Sequence, residues 1–199
     1  PNSVTTIGER VFNGCSSLKE FKGKFAADNG RCLIIDGVLS SFAIGCGVTE
    51  YTIPNSVTTI GERAFYWCSD LISVTIPNSV TTIGEDAFLF CESLTSVYIN
   101  DITAWCNISF SSAESNPLYH TGNLYLNNEL VTDLTIPDSV TEIGTNAFSY
   151  CRSITNVTIP DSVTSIVEGA FSACGSLQEF NGKFASEDSR CLIIDGTLN

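Results

Sequence analysis

The sequence predicts a strand-dominated solenoid of stacked 23-residue repeats, with short helical or 3-10 turns and inserted β-hairpins. A phrase recurs along the chain: IPNSVTTIGERAFYWC, residues 53–68, returns as IPNSVTTIGEDAFLFC, residues 76–91. A Cys also follows fourteen residues after each of five prolines, Pro1, Pro54, Pro77, Pro137 and Pro160. A fixed period of roughly 20 to 50 residues is typical of stacked architectures.

Composition and charge narrow the class of protein further. The chain has 43% hydrophobic residues and no Met, and it is rich in Thr, Ser, Ile and Val, which favour strands. Its net charge is -13, so phosphate backbones and anionic lipid surfaces would be repelled. We therefore expect no nucleic-acid partner, and no apolar run is long enough for membrane insertion. The chain starts within a copy of the phrase, which predicts a fragment of a longer array.

Each element of one copy has a physical assignment. Pro77 cannot donate to a strand ladder, so it ends the strand before it. Gly84 is expected at a tight bend. The segment EDAFLFC that follows is predicted as a short helical or 3-10 turn, and SLTSVYI as the closing strand. One copy is too small to form a core alone, whereas stacked copies share one. The residues predicted to face inward are Val80, Ile83, Ala87, Phe88, Cys91, Leu94, Val97 and Ile99.

Three expanded repeats interrupt the regular phase, around residues 22–50, 100–131 and 181–199. Two of them contain hairpin signals. Asp36-Gly37 and Asn127-Asn128 each lie between apolar runs, and such pairs suit two-residue turns that need positive φ. These hairpins are expected to extend a sheet or to project from its edge. The whole of 1–199 is predicted to be a single solenoid domain.

The recurring pattern L-x-x-V-x-I-P-x-S-V-T-x-I-G-x-x-A-F-x-x-C resembles the BspA-type, or treponemal-type, leucine-rich repeat of bacterial surface proteins. The resemblance covers essentially the whole chain. It implies a curved α/β-type leucine-rich repeat solenoid with a parallel sheet on one face, and a role in adhesion or protein binding. Val167 departs from the pattern, because Gly is usual there, so the bend in that copy is expected to differ.

The chain has nine cysteines, which could be free thiols, disulfides or metal ligands. Five of them share one repeat position and should stack as a column in the core: Cys15, Cys68, Cys91, Cys151 and Cys174. Buried free thiols are favoured, because parallel side chains on neighbouring copies have poor disulfide geometry. Disulfides and a metal site remain alternatives. With no C-x-x-C pair and one His, the usual zinc ligand sets are incomplete.

Catalysis has little support in the sequence. His120 is the only histidine, so a Ser-His or Cys-His mechanism would have to use it. Nothing marks a nucleophile elbow or a phosphate-binding loop. The 22 acidic residues make near pairs of carboxylates inevitable from composition alone. We therefore expect no enzyme, no cofactor and no metal.

A binding surface is better motivated, at the outward positions of successive strands. Leucine-rich repeat proteins that resemble this chain often bind through that face, and Tyr98 is the expected anchor. The alternative without a binding role is that Thr at outward positions favours strand formation and that acidic residues keep the sheet soluble. One outward row is Glu20, Glu50, Ser73, Ser96, Asp133, Asn156 and Glu179, and the other is Lys22, Thr52, Thr75, Tyr98, Thr135, Thr158 and Asn181.

The resulting hypothesis is a non-enzymatic protein-interaction module of a cell-surface or secreted protein, active in adhesion or host-protein binding. The alternative is a structural spacer that presents another domain of a larger surface protein. A protein partner is expected in the first case. Cut repeats at Pro1 and Asn199 also predict end-to-end self-association or fraying.

Overall fold

Strands dominate the regular structure, and helices are few and short, as predicted. The structure, a computed structural model, describes residues 3–8, 10–194 and 197–198. The two α-helices are α1 (Ile102–Cys106) and α2 (Leu118–Thr121). Short 3-10 helices occupy Asp28–Gly30, Ile44–Cys46 and Ala113–Ser115.

The strands of the described residues are short. In chain order they are β1 (Ala26–Ala27), β2 (Cys32–Ile35), β3 (Val38–Phe42), β4 (Glu50–Thr52), β5 (Thr59–Ile60), β6 (Ser73–Thr75), β7 (Thr82–Ile83), β8 (Ser96–Ile99), β9 (Ser109–Phe110), β10 (Leu124–Leu126), β11 (Glu129–Leu130), β12 (Asp133–Thr135), β13 (Glu142–Ile143), β14 (Asn156–Ile159), β15 (Ser165–Ile166), β16 (Glu179–Gly182), β17 (Ile193–Ile194) and β18 (Thr197–Leu198).

Strands β4, β6, β12 and β14, each of which precedes a proline of the phrase, belong to sheets of a first kind. One has the order β11-β10-β8-β6-β4 and another has the order β12-β14-β16. Neighbours are parallel, except that β11 is antiparallel to β10. Glu50 lies opposite Ser73, and Ser73 lies opposite Ser96. Equivalent positions of successive copies are therefore hydrogen-bonded neighbours.

The two-residue strands that follow the prolines, β5, β7, β13 and β15, belong to sheets of a second kind. One runs β1-β2-β3-β5-β7-β9, and another pairs β13 with β15. Ile60 lies opposite Ile83, which lies opposite Phe110. Strands β17 and β18 form a separate antiparallel pair.

Both kinds of sheet contribute to one large cluster of buried side chains. All eight residues predicted to face inward in the copy 77–99 are at most 3% exposed, which confirms that prediction. Phenylalanines of successive copies stack within the cluster: the Phe65 and Phe88 ring centroids are 4.9 Å apart, and those of Phe148 and Phe171 are 5.5 Å apart.

The segment EDAFLFC forms a series of turns, not the helical or 3-10 turn predicted. Asp86 and Phe90 have φ of 54° and 63°, values that interrupt any helix. The cause is competition for backbone hydrogen bonds, as the preceding copy shows. The N–H groups of Arg63, Phe65 and Trp67 donate to Glu85, Ala87 and Leu89 of the next copy at 2.8–3.0 Å. The carbonyl groups that a helix through EDAFLFC would use within itself therefore accept from the preceding copy.

Gly84 allows the backbones of two neighbouring copies to approach closely. Its φ is not positive, so a left-handed conformation is not the reason for a glycine here. A Cβ on Gly84 would lie 2.7 Å from the backbone N of Glu62 in the preceding copy. The N–H of Gly84 donates to Ile60 O at 2.8 Å, and the N–H of Val167 donates to Ile143 O at 2.9 Å. The copy that carries Val167 therefore keeps the same backbone bond, and β15 pairs with β13 as β7 pairs with β5.

Both predicted hairpins are confirmed. Asp36 and Gly37 have φ of 48° and 81° and join β2 to β3, with Ile35 opposite Val38. Asn127 and Asn128 have φ of 51° and 70° and join β10 to β11. Each hairpin extends a sheet, because β3 pairs with β5 and β10 pairs with β8.

Each insertion places a segment next to a regular copy. The spacing of the repeats alone would have placed another regular copy there. The Phe42 N–H donates to Ala64 O at 2.9 Å, so residues 38–46 lie against the copy of Pro54. The first copy is displaced outward and contacts the insertion, with Gly45 N–H donating to Leu18 O at 2.8 Å.

The predicted column of five core cysteines is wrong at one end. Cys68, Cys91 and Cys151 are buried and Cys174 is half-buried, whereas Cys15 is exposed. Cys15 lies in the first copy, within a run of exposed residues, 13–17. All nine cysteines are free thiols in this structure. The ends at Pro1 and Asn199, for which association or fraying was predicted, lie outside the described residues.

Candidate interaction surface

The outward positions of the first kind of sheet form the surface that we call the strand face. On β4, β6 and β8 the predicted rows are present in register, with Glu50, Ser73 and Ser96 side by side. Thr52, Thr75 and Tyr98 form the parallel row on the same strands. The buried residues between them alternate with these positions, as period-2 strand geometry requires.

A second group of predicted residues lies together on β12, β14 and β16. Asp133 is opposite Asn156, which is opposite Glu179. The Asn156 amide donates to Asp133 Oδ1 at 2.6 Å, and this bond is the main reason that the pKa of Asp133 lies below its usual range. Thr135 and Thr158 pair in the adjoining row.

The two predicted rows are not continuous across the chain. The next neighbour of β8 is β10, so Tyr125 and not Thr135 lies opposite Tyr98. Glu20 is also outside any strand and forms an exposed ion pair with Lys22 at 2.7 Å. The first difference arises because the insertion supplies β10, which takes the place next to β8. In the described sheet β4 is the edge strand, so no strand continues the row towards Glu20.

Tyr125 is a residue of this surface that the sequence analysis missed. The rings of Tyr98 and Tyr125 are half-buried and stacked, with centroids 4.8 Å apart and planes 27° from parallel. The alternation in NLYLNN, ahead of a two-residue turn, was the available signal. It predicted a hairpin, but it did not indicate which strand the hairpin would join.

The chemistry around His120 is that of a packed side chain. His120 lies on α2, and its burial is the main cause that lowers its pKa. Its Nε2 atom is buried without a hydrogen-bond partner among the described residues. In the part of the chain that the structure describes, no three His, Cys, Asp or Glu side chains are grouped so that they could hold a metal ion.

The buried thiols are poor nucleophiles at neutral pH. Burial raises the pKa of Cys91 to about 12 and that of Cys151 to about 11. Cys91 Sγ donates to Phe65 O at 3.2 Å, and Cys174 Sγ donates to Phe148 O at 3.1 Å, which links neighbouring copies. Since the thiolate is the reactive form, these groups serve packing.

None of the helices among the described residues has the length and apolar character needed to cross a bilayer.

Comparison with protein families decides the classification. A profile of the BspA type leucine rich repeat region matches residues 1–28, 39–123 and 119–187, in six copies. The chain belongs to the BspA-type leucine-rich repeat family. The resemblance inferred from the phrase is therefore confirmed, and the sixth copy shows that the leucine-rich repeat signal extends beyond the five proline-phased copies.

Several solved structures are similar to this BspA-type chain. The leucine-rich repeat protein of T. pallidum is 23% identical, with a TM-score of 0.43, 72% of this chain covered and 62% of that one. A leucine-rich repeat protein of Bacteroides ovatus is 24% identical, with a TM-score of 0.42, 92% of this chain covered and 60% of that one. A leucine rich cell surface protein of Faecalibacterium prausnitzii is 25% identical, with a TM-score of 0.38, 89% of this chain covered and 58% of that one.

The chain thus spans less than two thirds of each of these leucine-rich repeat proteins. No curated protein matches it in sequence. The leucine-rich repeat family implies a protein-interaction module, and its members are generally non-enzymatic.

Proposed function

We propose that the chain is a protein-interaction module of a cell-surface or secreted protein, acting in adhesion or host-protein binding. Membership of the BspA-type family supports the interaction role. The same proposal includes a single solenoid domain over residues 1–199 with a 23-residue period. Parallel pairing of Glu50 with Ser73 and of Asn156 with Glu179 supports that period.

The stacked pair Tyr98 and Tyr125 carries the proposal that the strand face is the contact surface. Two adjacent rings present a wide, rigid apolar area with hydroxyl groups that can bind across an interface. Because the rings already stack on each other, little side-chain freedom is lost when a partner covers them. A tyrosine pair surrounded by Ser and Thr therefore has the character of an interface anchor.

The polar residues around the tyrosine pair would form the rim of the contact. Rim charges chiefly affect association rate and partner choice, so the acidic positions would select partners with a basic surface. Glu20 is left out of this rim, since it lies outside the sheet. The proposed rim residues are Glu50, Ser73, Thr75 and Ser96 beside the pair, with Asp133, Thr135, Asn156, Thr158 and Glu179 on the second sheet.

The test is a binding screen of the whole chain against immobilised extracellular-matrix and serum proteins, measured at micromolar concentration. For any protein that binds, the Tyr98→Ala/Tyr125→Ala double variant is expected to weaken binding at least tenfold, as loss of a central anchor does. The Val11→Ala variant is the control, because it removes an exposed side chain of the first copy that lies outside the strand face. It should bind as the unmodified chain does.

Two results would count against the proposal. Unchanged binding by the double variant would move the contact surface away from the strand face. The absence of any binding protein would favour the alternative of a structural spacer, which needs no anchor residues.

A further inference from the structure

Three aromatic side chains lie together on the turns of two adjacent copies, away from the strand face. We call Tyr66, Trp67 and Phe90 the turn-face cluster. Trp67 is 57% exposed and Phe90 is 40% exposed. The Phe90 ring centroid lies 5.4 Å from that of Tyr66 and 5.7 Å from that of Trp67, in edge-to-face contact. The rings form a continuous apolar surface open to solvent.

The backbone gives an independent reason to regard these rings as functional. Trp67 and Phe90 have φ of 64° and 63°, a left-handed conformation that is unfavourable for bulky residues. In the first and last regular copies the same position holds Gly14 and Ala173, at φ of 73° and 56°. The turn therefore forms with a small residue, and the fold does not require an aromatic one. Strain at an exposed position of this kind is typical of functional surfaces.

The charges around the cluster favour a cation. The guanidinium of Arg63 lies 5.0 Å from the Tyr66 ring centroid, and it also donates to Asp86 Oδ2 at 2.8 and 3.0 Å. Arg63 is thus satisfied within the chain, and it shows that the cluster accepts a cation on a ring face. Trp67, the best cation acceptor of the three, has no cation over its ring among the described residues.

Two acidic side chains follow the rings on the same turns. Asp70 comes three residues after Trp67 and Glu92 comes two residues after Phe90, and both are exposed. Within the described part of the chain neither forms an ion pair. Open ring faces and unpaired carboxylates two or three residues apart in sequence are complementary to the ammonium or guanidinium group of a Lys or Arg side chain.

We propose that the turn-face cluster is a second docking surface, which binds a segment of a partner protein rich in Lys or Arg. The cationic groups of the segment lie over the Trp67 and Phe90 rings, and Asp70 and Glu92 pair with them. The net charge of -13 draws such a segment towards the chain and speeds the encounter. This surface is separate from the strand face and does not depend on the function proposed for it.

The probe is a synthetic peptide of alternating Gly and Lys, compared with a matched peptide of alternating Gly and Gln. Calorimetry gives the affinity, and tryptophan fluorescence locates the site, because Trp67 is exposed whereas Trp105 is only 1% exposed. The Lys peptide is expected to change the Trp67 emission, and the Gln peptide is not. The Trp67→Ala/Phe90→Ala variant should bind the Lys peptide roughly 2- to 30-fold more weakly, which is the range for loss of a cation–π contact.

The Val4→Ala/Val11→Ala variant is the matched control, since it also removes two exposed apolar side chains and leaves the net charge unchanged. It should bind the Lys peptide as the unmodified chain does. Equal weakening in both double variants, or in neither, would mean general attraction to an acidic protein and would overturn the proposal. An emission change with a neutral oligosaccharide but not with the Lys peptide would overturn it in favour of a glycan. Because Ala173 already occupies the equivalent turn, the alanine variants are expected to fold.

Discussion

Residues 1–10 and residues 54–63 have the same sequence, PNSVTTIGER, yet the described residues of the first stretch lie in a different environment from their counterparts. Val4 is 38% exposed, whereas Val57 is fully buried. Further along the two copies, Cys15 is exposed and Cys68 is 1% exposed. Identical local sequence therefore does not determine burial in this chain.

The neighbours of each copy explain the difference. The Phe65 ring lies 4.9 Å from Phe42 on one side and 4.9 Å from Phe88 on the other. Phe12, its counterpart in the first copy, has one aromatic neighbour among the described residues, Phe21 at 5.1 Å. Stability in stacked repeats comes from the interfaces between units, so a copy with one covered flank contributes less.

The largest expected difference is between Phe65→Ala and Phe12→Ala. Phe65→Ala removes a fully buried ring and should lower the free energy of unfolding by about 3–5 kcal/mol. Phe12 is half-buried, so Phe12→Ala should lower it by about 1 kcal/mol. Urea denaturation followed by the fluorescence of buried Trp105 measures both. Similar losses for the two variants would show that the first copy is as well packed as the second.

A smaller difference is expected between two equivalent glycines. A Cβ on Gly84 would meet the Glu62 backbone at 2.7 Å, and Gly84→Ala should destabilise the chain by about 1–3 kcal/mol through overpacking. A Cβ on Gly8 would meet only Val11 Cγ2, at 3.7 Å. Gly8→Ala should therefore be neutral or stabilising by about 0.4–1 kcal/mol, because Ala restricts the unfolded chain.

The same denaturation series tests this second pair. Gly8→Ala is the internal control, since it makes the same chemical change at the same position of the phrase. A loss of stability at Gly8 as large as that at Gly84 would contradict the view that only central copies approach each other closely.

The spacing of the prolines predicted which strands are neighbours wherever both strands belong to regular copies of the phrase. The proline phase put Glu50 beside Ser73, and the turn chemistry of Asp36-Gly37 predicted a hairpin. Phase could not predict the pairing of Tyr98 with Tyr125, because the insertion lacks the phrase and any edge strand could have received its hairpin.

The turn-face cluster was beyond prediction for a different reason. Conformational propensity argues against a left-handed Trp67 or Phe90, so only the structure shows that these rings are held there. A positive φ recurs at the same position of every proline-phased copy, whether Gly14, Tyr150 or Ala173 occupies it, so the turn of the repeat sets this conformation. Most of the strand-face rows were predictable, whereas their interruption and their second tyrosine were not.

The last expected effect appears only above pH 9, in the pH dependence of stability, and it separates the two ends of the cysteine column. Burial raises the pKa of Cys91 from an ordinary value of 9.0 to about 12. Its thiol stays neutral in the folded chain at a pH where the unfolded chain has lost the proton. The contribution of Cys91 is therefore fully present below pH 9 and is lost between pH 9 and about 12, by up to about 1.4 kcal/mol per pH unit.

Urea denaturation at intervals from pH 8 to 11 isolates this contribution when the slopes of variants are compared. Cys91→Ala should flatten the fall in stability above pH 9, because the variant has no thiol to ionise at that position. Cys15→Ala is the control for the removal of a thiol, because it makes the same change in the exposed turn of the first copy. Lysines and tyrosines titrate in the same range, but they are common to all three proteins and cancel in the comparison. Equal slopes for Cys91→Ala and the unmodified chain would place Cys91 in contact with water, and the two ends of the column would then no longer differ.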